Sequence, residues 1–104
     1  HLHSHQNSFI SGVLYIKAHE NVDSIVLEKR QPLENILIKA ENYGVFNSTD
    51  WRYKIKTAML ILFPSTVPHS VKVKKDNEER ISLAFNTYLK GTLGNTKSLT
   101  ELKL

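Results

Sequence analysis

Between Phe9 and Ala18 the chain interleaves two sets of residues at period two. One set is Phe9, Ser11, Val13 and Tyr15; the other is Ile10, Gly12, Leu14 and Ile16. Alternation of this kind is the mark of a strand. Both sets are largely apolar, which predicts a central strand over residues 9–17, and Gly12 within it predicts a bend or the close approach of another group. Further alternating runs predict strands over 24–29, 52–57, 59–63, 69–74 and 80–89, with 59–63 buried. Residues 35–40 fit either a short strand or one helical turn, and the tail beyond Gly91 fits either a strand or a short helix. Turn formers separate the runs: His19–Asp23, Pro32, the loop 41–51, Pro64–Pro68, and a tight turn at Asp76 and Asn77. No amphipathic helix stands out. Many short strands at close spacing predict an all-β sandwich or barrel of two antiparallel sheets.

A length of 104 residues allows one domain with a small core to which every strand has to contribute. The hydrophobic share of 40% and charged share of 23% exclude disorder. There is no cysteine, so no disulfide and no thiolate chemistry enters. No apolar run is long enough to cross a bilayer as a helix. The chain lacks the basic and apolar opening of a signal peptide, and a cytoplasmic location is expected. It opens without methionine and inside a histidine cluster, which leads us to expect the C-terminal part of a longer protein. The net charge of +4 favours anions in general. Arg52, Lys54 and Lys56, and likewise Lys72 and Lys74, alternate with other residues as the wet faces of strands do. The aromatics Tyr43, Phe46 and Trp51 in or beside one loop are expected to pin it to the core or to cover a pocket mouth.

Two histidine features carry candidate chemistry. In His1, His3 and His5, alternate residues of an extended segment point the same way, so an H-x-H pair offers two imidazoles to one ion. His69 stands alone after a proline turn at the start of a strand. Three imidazoles, or two with a carboxylate, make a first-row transition-metal site. Arg80 follows eleven residues after His69, and Ser82, Ala84 and Asn86 share its face while Ile81, Leu83 and Phe85 form the other. A tight hairpin is expected to set the strands from His69 and Arg80 side by side. An arginine on a semi-apolar strand face needs an anionic partner. That partner is either Glu78 or Glu79 at the strand edge, or the carboxylate of a ligand held by Arg80 and Ser82.

Taken together, His3-Ser4-His5, the run Ser8–Tyr15, Leu60–Ser65, His69-Ser70-Val71 and Arg80–Asn86 form the pattern HxH…NSxxSGVxY…LFPS…HxV…RISxxFN. This pattern resembles the 2-oxoglutarate- and Fe(II)-dependent oxygenases of the prolyl-hydroxylase-like superfamily, in particular a group from marine bacteria and phages. The likeness runs over essentially the whole chain and is loosest over residues 20–57.

The resemblance implies a double-stranded β-helix, a cupin-like jelly-roll, here a single domain over 1–104 that lacks its N-terminal strand. An edge left open in that way invites pairing of two copies, a homodimer. The resemblance also implies a site. His3 and His69 would hold iron, with His5 as a third metal residue. Arg80, with Ser82, Tyr15 and Asn86, would bind 2-oxoglutarate through its distal carboxylate. His3, His69 and Arg80 would be the residues on which catalysis turns. The implied activity is a dioxygenase that uses O2 and couples decarboxylation of 2-oxoglutarate to oxidation of a second substrate. Most relatives carry Asp or Glu where this chain has His5. His5 is then a ligand, or supports a site with one open position taken by water or halide, or yields to a register using His1 and His3. Relatives act on peptidyl proline, nucleobases and small metabolites, and nothing in the sequence selects among these. A jelly-roll binding module without catalysis, or a phage capsid or tail protein on the same sandwich, are the competing readings.

Overall fold

The central strand expected from the Phe9–Ala18 alternation is β1, Ile10–Lys17, and it carries a neighbour on each side. The computed structural model describes residues 1–29, 39–73 and 77–104. Beyond β1 it contains β2 (Ser24–Glu28), β3 (Asp50–Lys54), β4 (Met59–Pro64), β5 (His69–Val71), β6 (Ile81–Asn86), β7 (Thr92–Leu93) and β8 (Leu102–Lys103). One antiparallel sheet has the order β4-β1-β6 and a second the order β3-β2-β5. The chain changes sheet between β1 and β2, β3 and β4, β4 and β5, and β5 and β6, a winding consistent with a jelly-roll-like family. The tail adds a third sheet, the small hairpin β7-β8. The domain is all-β, as the alternation predicted, but its three small sheets do not close into a barrel.

The core lies where the two main sheets face each other. Val13, Tyr15 and Phe63 come from the first sheet and Ile25 from the second, with Ile55 just beyond β3. Leu27, Tyr53, Met59, Ile61, Val67 and Val71 pack around them. Gly12 faces the other way, between its ladder partners Phe85 and Leu62. A side chain there would run into the Phe85 ring and the end of Leu62, so this glycine serves the close approach that its place in the strand suggested.

Several expectations need correction. The third strand is shifted: β3 begins at Asp50, inside the expected loop, and ends at Lys54, opposite Ser24, the first residue of its partner β2. Ile55 leaves the ladder, gives its N–H to the Asp23 carbonyl and sinks fully into the core. The Thr57 hydroxyl then bridges the Ala18 N–H and carbonyl, and Ala58 turns the chain with φ 64°. β4 is not buried as a whole. Its inward Phe63 is buried, but Leu60 and Leu62 are half exposed on the outer face. β5 stops at Val71, since β2 offers partners only from Ile25 to Leu27. β6 starts after Arg80 and stops at Asn86.

The expected side-by-side hairpin of the His69 and Arg80 strands is wrong, because β5 pairs with β2 in one sheet and β6 with β1 in the other. Tyr43 and Phe46 neither pin their loop nor cover a pocket; they stand 62% and 91% exposed. Trp51 lies opposite Leu27 at the rim of the second sheet. The expected turn at Asp76 and most of the segment 35–40 lie outside the described residues.

Candidate metal and anion site

The loop Ser65–Pro68 delivers His69 to the inner face of the second sheet, where it opposes Leu27. His3 then pairs with His69 as an isolated antiparallel bridge: the His3 N–H reaches the His69 carbonyl at 3.1 Å and the His69 N–H the His3 carbonyl at 2.9 Å. Directly opposed residues of such a pair put their side chains on one face, and the two rings lie 4.3 Å apart between centroids. His5, two residues on, points the same way and is fixed by its N–H to the Ser65 carbonyl at 3.0 Å. Its ring is 5.0 Å from that of His3 and 5.2 Å from that of His69.

One ligand nitrogen from each of His3, His5 and His69 falls within 4.8 Å of the other two. One ion that takes imidazole nitrogen at roughly 2.0–2.1 Å, as zinc does, is in reach of all three after small side-chain adjustments. His3 and His69 are prepared for this role. Their Nδ1 atoms lie 3.1 Å from the His1 carbonyl and 3.2 Å from the Val67 carbonyl. A carbonyl only accepts, so in each neutral ring Nδ1 carries the proton and Nε2 keeps its lone pair for a metal. Burial pushes the His69 imidazole below its ordinary pKa. The Val67 hydrogen bond opposes that shift, and His3 and His5 add to it. The ring is thereby held in the neutral form that a metal requires. His1 lies outside the group, so the H-x-H that the structure brings to His69 is His3 and His5 and not His1 and His3. No carboxylate joins it among the described residues.

Arg80, just before β6, lines the same cleft as the cluster. Its Nη1 is 3.1 Å from Asp23 Oδ1 and 3.5 Å from the Lys72 carbonyl. Asp23 is buried, and its other carboxylate oxygen accepts the His19 N–H at 2.9 Å. The expected partners Glu78 and Glu79 are therefore replaced by a residue that the sequence showed only as the end of a turn. Glu79 pairs instead with Lys17.

Tyr15 stands opposite Ser82 across the β1–β6 ladder and is 1% exposed. Among the described residues its hydroxyl has no hydrogen-bond partner. Burial raises the pKa of that hydroxyl; Arg80 lowers it and Asp23 raises it further. The group is thus a proton donor at neutral pH with no acceptor among the described residues. A cleft of about 220 Å³ collects these groups, with His5, His69, Tyr15, Arg80, Ser82 and Asn86 in its wall. Asn86, expected to touch a cosubstrate, lies between Ser11 and His5. No helix among the described residues is long and apolar enough to cross a membrane.

The donor set suits a first-row ion such as Fe(II), since imidazole serves iron, zinc, copper and nickel alike. It departs from the two-histidine, one-carboxylate set by a neutral third member. The buried, unpartnered Tyr15 hydroxyl beside a guanidinium suits a carboxylate. Searches of curated proteins and of solved structures found no match. Residues 1–86 match the family model described as "Putative 2OG-Fe(II) oxygenase". That span contains all three histidines, Tyr15, Arg80, Ser82 and Asn86, and the chain belongs to this 2OG-Fe(II) oxygenase family.

Proposed function

We propose that the chain is a 2-oxoglutarate- and Fe(II)-dependent dioxygenase on a jelly-roll scaffold. In the overall reaction one atom of O2 enters succinate as CO2 leaves 2-oxoglutarate, and the other enters the hydroxylated substrate. The observation that supports the reading is that one cleft is lined both by the three histidines and by Arg80 and Tyr15. The three imidazoles come from the second sheet and the adjoining N-terminal segment, and the Arg80 guanidinium and the Tyr15 hydroxyl, which has no hydrogen-bond partner among the described residues, belong to the same cleft. A short dicarboxylate would run from the imidazoles to the guanidinium.

His3, His5 and His69 would hold the iron, which supplies, when bound, the point where the keto acid and O2 meet. Arg80 would take the far carboxylate of 2-oxoglutarate. Among the described residues both its contacts use Nη1, which leaves the rest of its planar fork for a ligand. Tyr15 would donate its hydroxyl proton to the same carboxylate, and Ser82 flanks it. The buried walls formed by Val13, Phe63 and Ile25 exclude water from the inner end of the cleft. The substrate oxidised is of an open class: peptidyl, nucleobase or small metabolite.

One observation favours a second reading, a binding module without turnover: the three ligands carry no negative charge to retain a divalent ion. Anaerobic calorimetric titration separates the two. An oxygenase loaded with Fe(II) binds 2-oxoglutarate, and Arg80→Lys weakens that binding about tenfold or more while Fe(II) uptake stays as in the wild type. Absence of Fe(II)-dependent binding of 2-oxoglutarate rules out the oxygenase reading.

A further inference from the structure

His5 differs from the other two histidines in what holds its ring. Its Nδ1 meets no carbonyl but Asn86 Nδ2, at 3.4 Å. Behind Asn86 runs a line of hydroxyls. Asn86 Oδ1 is 2.7 Å from Ser11 Oγ, which is 2.8 Å from Ser65 Oγ. Ser65 Oγ is 2.7 Å from Ser8 Oγ, and that hydroxyl reaches the Thr87 carbonyl at 3.1 Å. Ser11 and Ser65 are 2% and 0% exposed, so water does not make up for a missing partner in the middle of the line.

A count of protons decides how this line runs. Five contacts join His5, Asn86, Ser11, Ser65, Ser8 and the Thr87 carbonyl, and each needs one proton. With Nδ2 toward His5, one amide proton and three hydroxyl protons are available, so one contact of 2.7–3.1 Å sets two lone pairs against each other. The two ends of a carboxamide fill nearly the same space, and their hydrogen-bond partners decide which way it lies. With the amide turned end for end, every contact is served. His5 Nδ1–H donates to Asn86 Oδ1, Nδ2–H to Ser11, Ser11 to Ser65, Ser65 to Ser8, and Ser8 to the Thr87 carbonyl. In the first arrangement the unmade contact either is buried, at about 1–3 kcal/mol, or falls at the exposed Ser8–Thr87 end; only the second arrangement makes all five, and it is the one favoured.

We infer that Asn86 is a positioning residue for the third metal ligand: its Oδ1 accepts the His5 Nδ1 proton and leaves the Nε2 lone pair free. All three histidines then present the same nitrogen. The direction of the bond stands on the proton count alone; its purpose rests on the metal reading above. It also assigns a use to the buried serines, which touch neither the metal nor the cosubstrate in that reading.

Nitrogen-15 correlation spectra of the metal-free chain, at a pH where the rings are neutral, read the His5 tautomer directly. The inference expects Nδ1–H in the wild type and in Asn86→Asp, and loss of that preference in Asn86→Leu. An Nε2–H tautomer of His5 in the wild type overturns it and leaves the oxygenase reading untouched. Titration with Co(II) alone then tests the purpose. Asn86→Leu should bind Co(II) roughly 10–100-fold more weakly than the wild type, and Asn86→Asp at least as tightly. Equal affinity in Asn86→Leu overturns the positioning role. A wild type with His5 as Nδ1–H that takes up no Co(II) overturns the metal reading, and with it the purpose but not the direction of the bond.

Discussion

Asp23 and Arg80 meet 3.1 Å apart across the gap between the two sheets, the carboxylate almost fully buried and the guanidinium about one-fifth exposed. Removing one member of such a pair leaves the other charge uncompensated in a poorly hydrated place. Asp23→Asn keeps the shape and an oxygen for the His19 N–H. It is expected to cost about 2–4 kcal/mol, below the fully buried case because Arg80 retains some water. Lys17 and Glu79 meet at 3.3 Å but are mostly exposed, and Lys17→Ala is expected to cost under about 1 kcal/mol. Urea unfolding of the two variants measures both.

Tyr15→Phe separates folding from binding. An unpaired buried hydroxyl costs roughly 1–3 kcal/mol, so the phenylalanine variant should be as stable as the wild type or up to about 2 kcal/mol more stable. If the hydroxyl serves a carboxylate, the same variant should bind 2-oxoglutarate about 10–100-fold more weakly, the worth of a hydrogen bond to a charged group. Greater stability with unchanged affinity would show that the hydroxyl has no ligand to meet.

His69 gives a pH dependence with a definite sign. Its folded-state pKa lies below the ordinary 6.5, so the unfolded chain takes up the proton first as pH falls. Stability from this group is present above about pH 6.5 and is lost as pH drops through the folded value. Unfolding of the metal-free protein between pH 7.5 and 5 should show this loss, and His69→Phe should show less of it. Metal should shift the loss to lower pH, because it competes with the proton for Nε2.

Period-two alternation was enough to find β1, β2, β4 and β6 and to say which residues share a face, because each face of a strand is set by the local backbone. It did not say which face is inward. On β6 the more polar set, Ser82, Ala84 and Asn86, lines the cleft, while Ile81 and Leu83 lie outside it and about half exposed. Arg80, which the motif singled out and hydrophobicity did not, stands in the same cleft wall. Strand ends and sheet partners depend on ladders between distant segments, which is why β3 moved and β5 and β6 fell in different sheets. Asp23 was missed for the same reason: at position 23 it reads as the end of a turn, and only the fold brings Arg80, 57 residues later, to its side. The His3–His69 pairing likewise spans most of the chain, and the sequence offered only the H-x-H spacing at one end and a lone histidine at the other.

The central claim is that one cleft holds a metal at its histidines and a 2-oxoglutarate carboxylate at Arg80. Release of succinate from 2-oxoglutarate tests it most directly, with and without Fe(II), for the wild type, His69→Ala and Arg80→Lys. The account predicts Fe(II)-dependent succinate from the wild type and none above background from His69→Ala. From Arg80→Lys it predicts a loss of about tenfold or more that added 2-oxoglutarate partly restores. Succinate release by a folded wild type that is indifferent to Fe(II), or absent altogether, would contradict it.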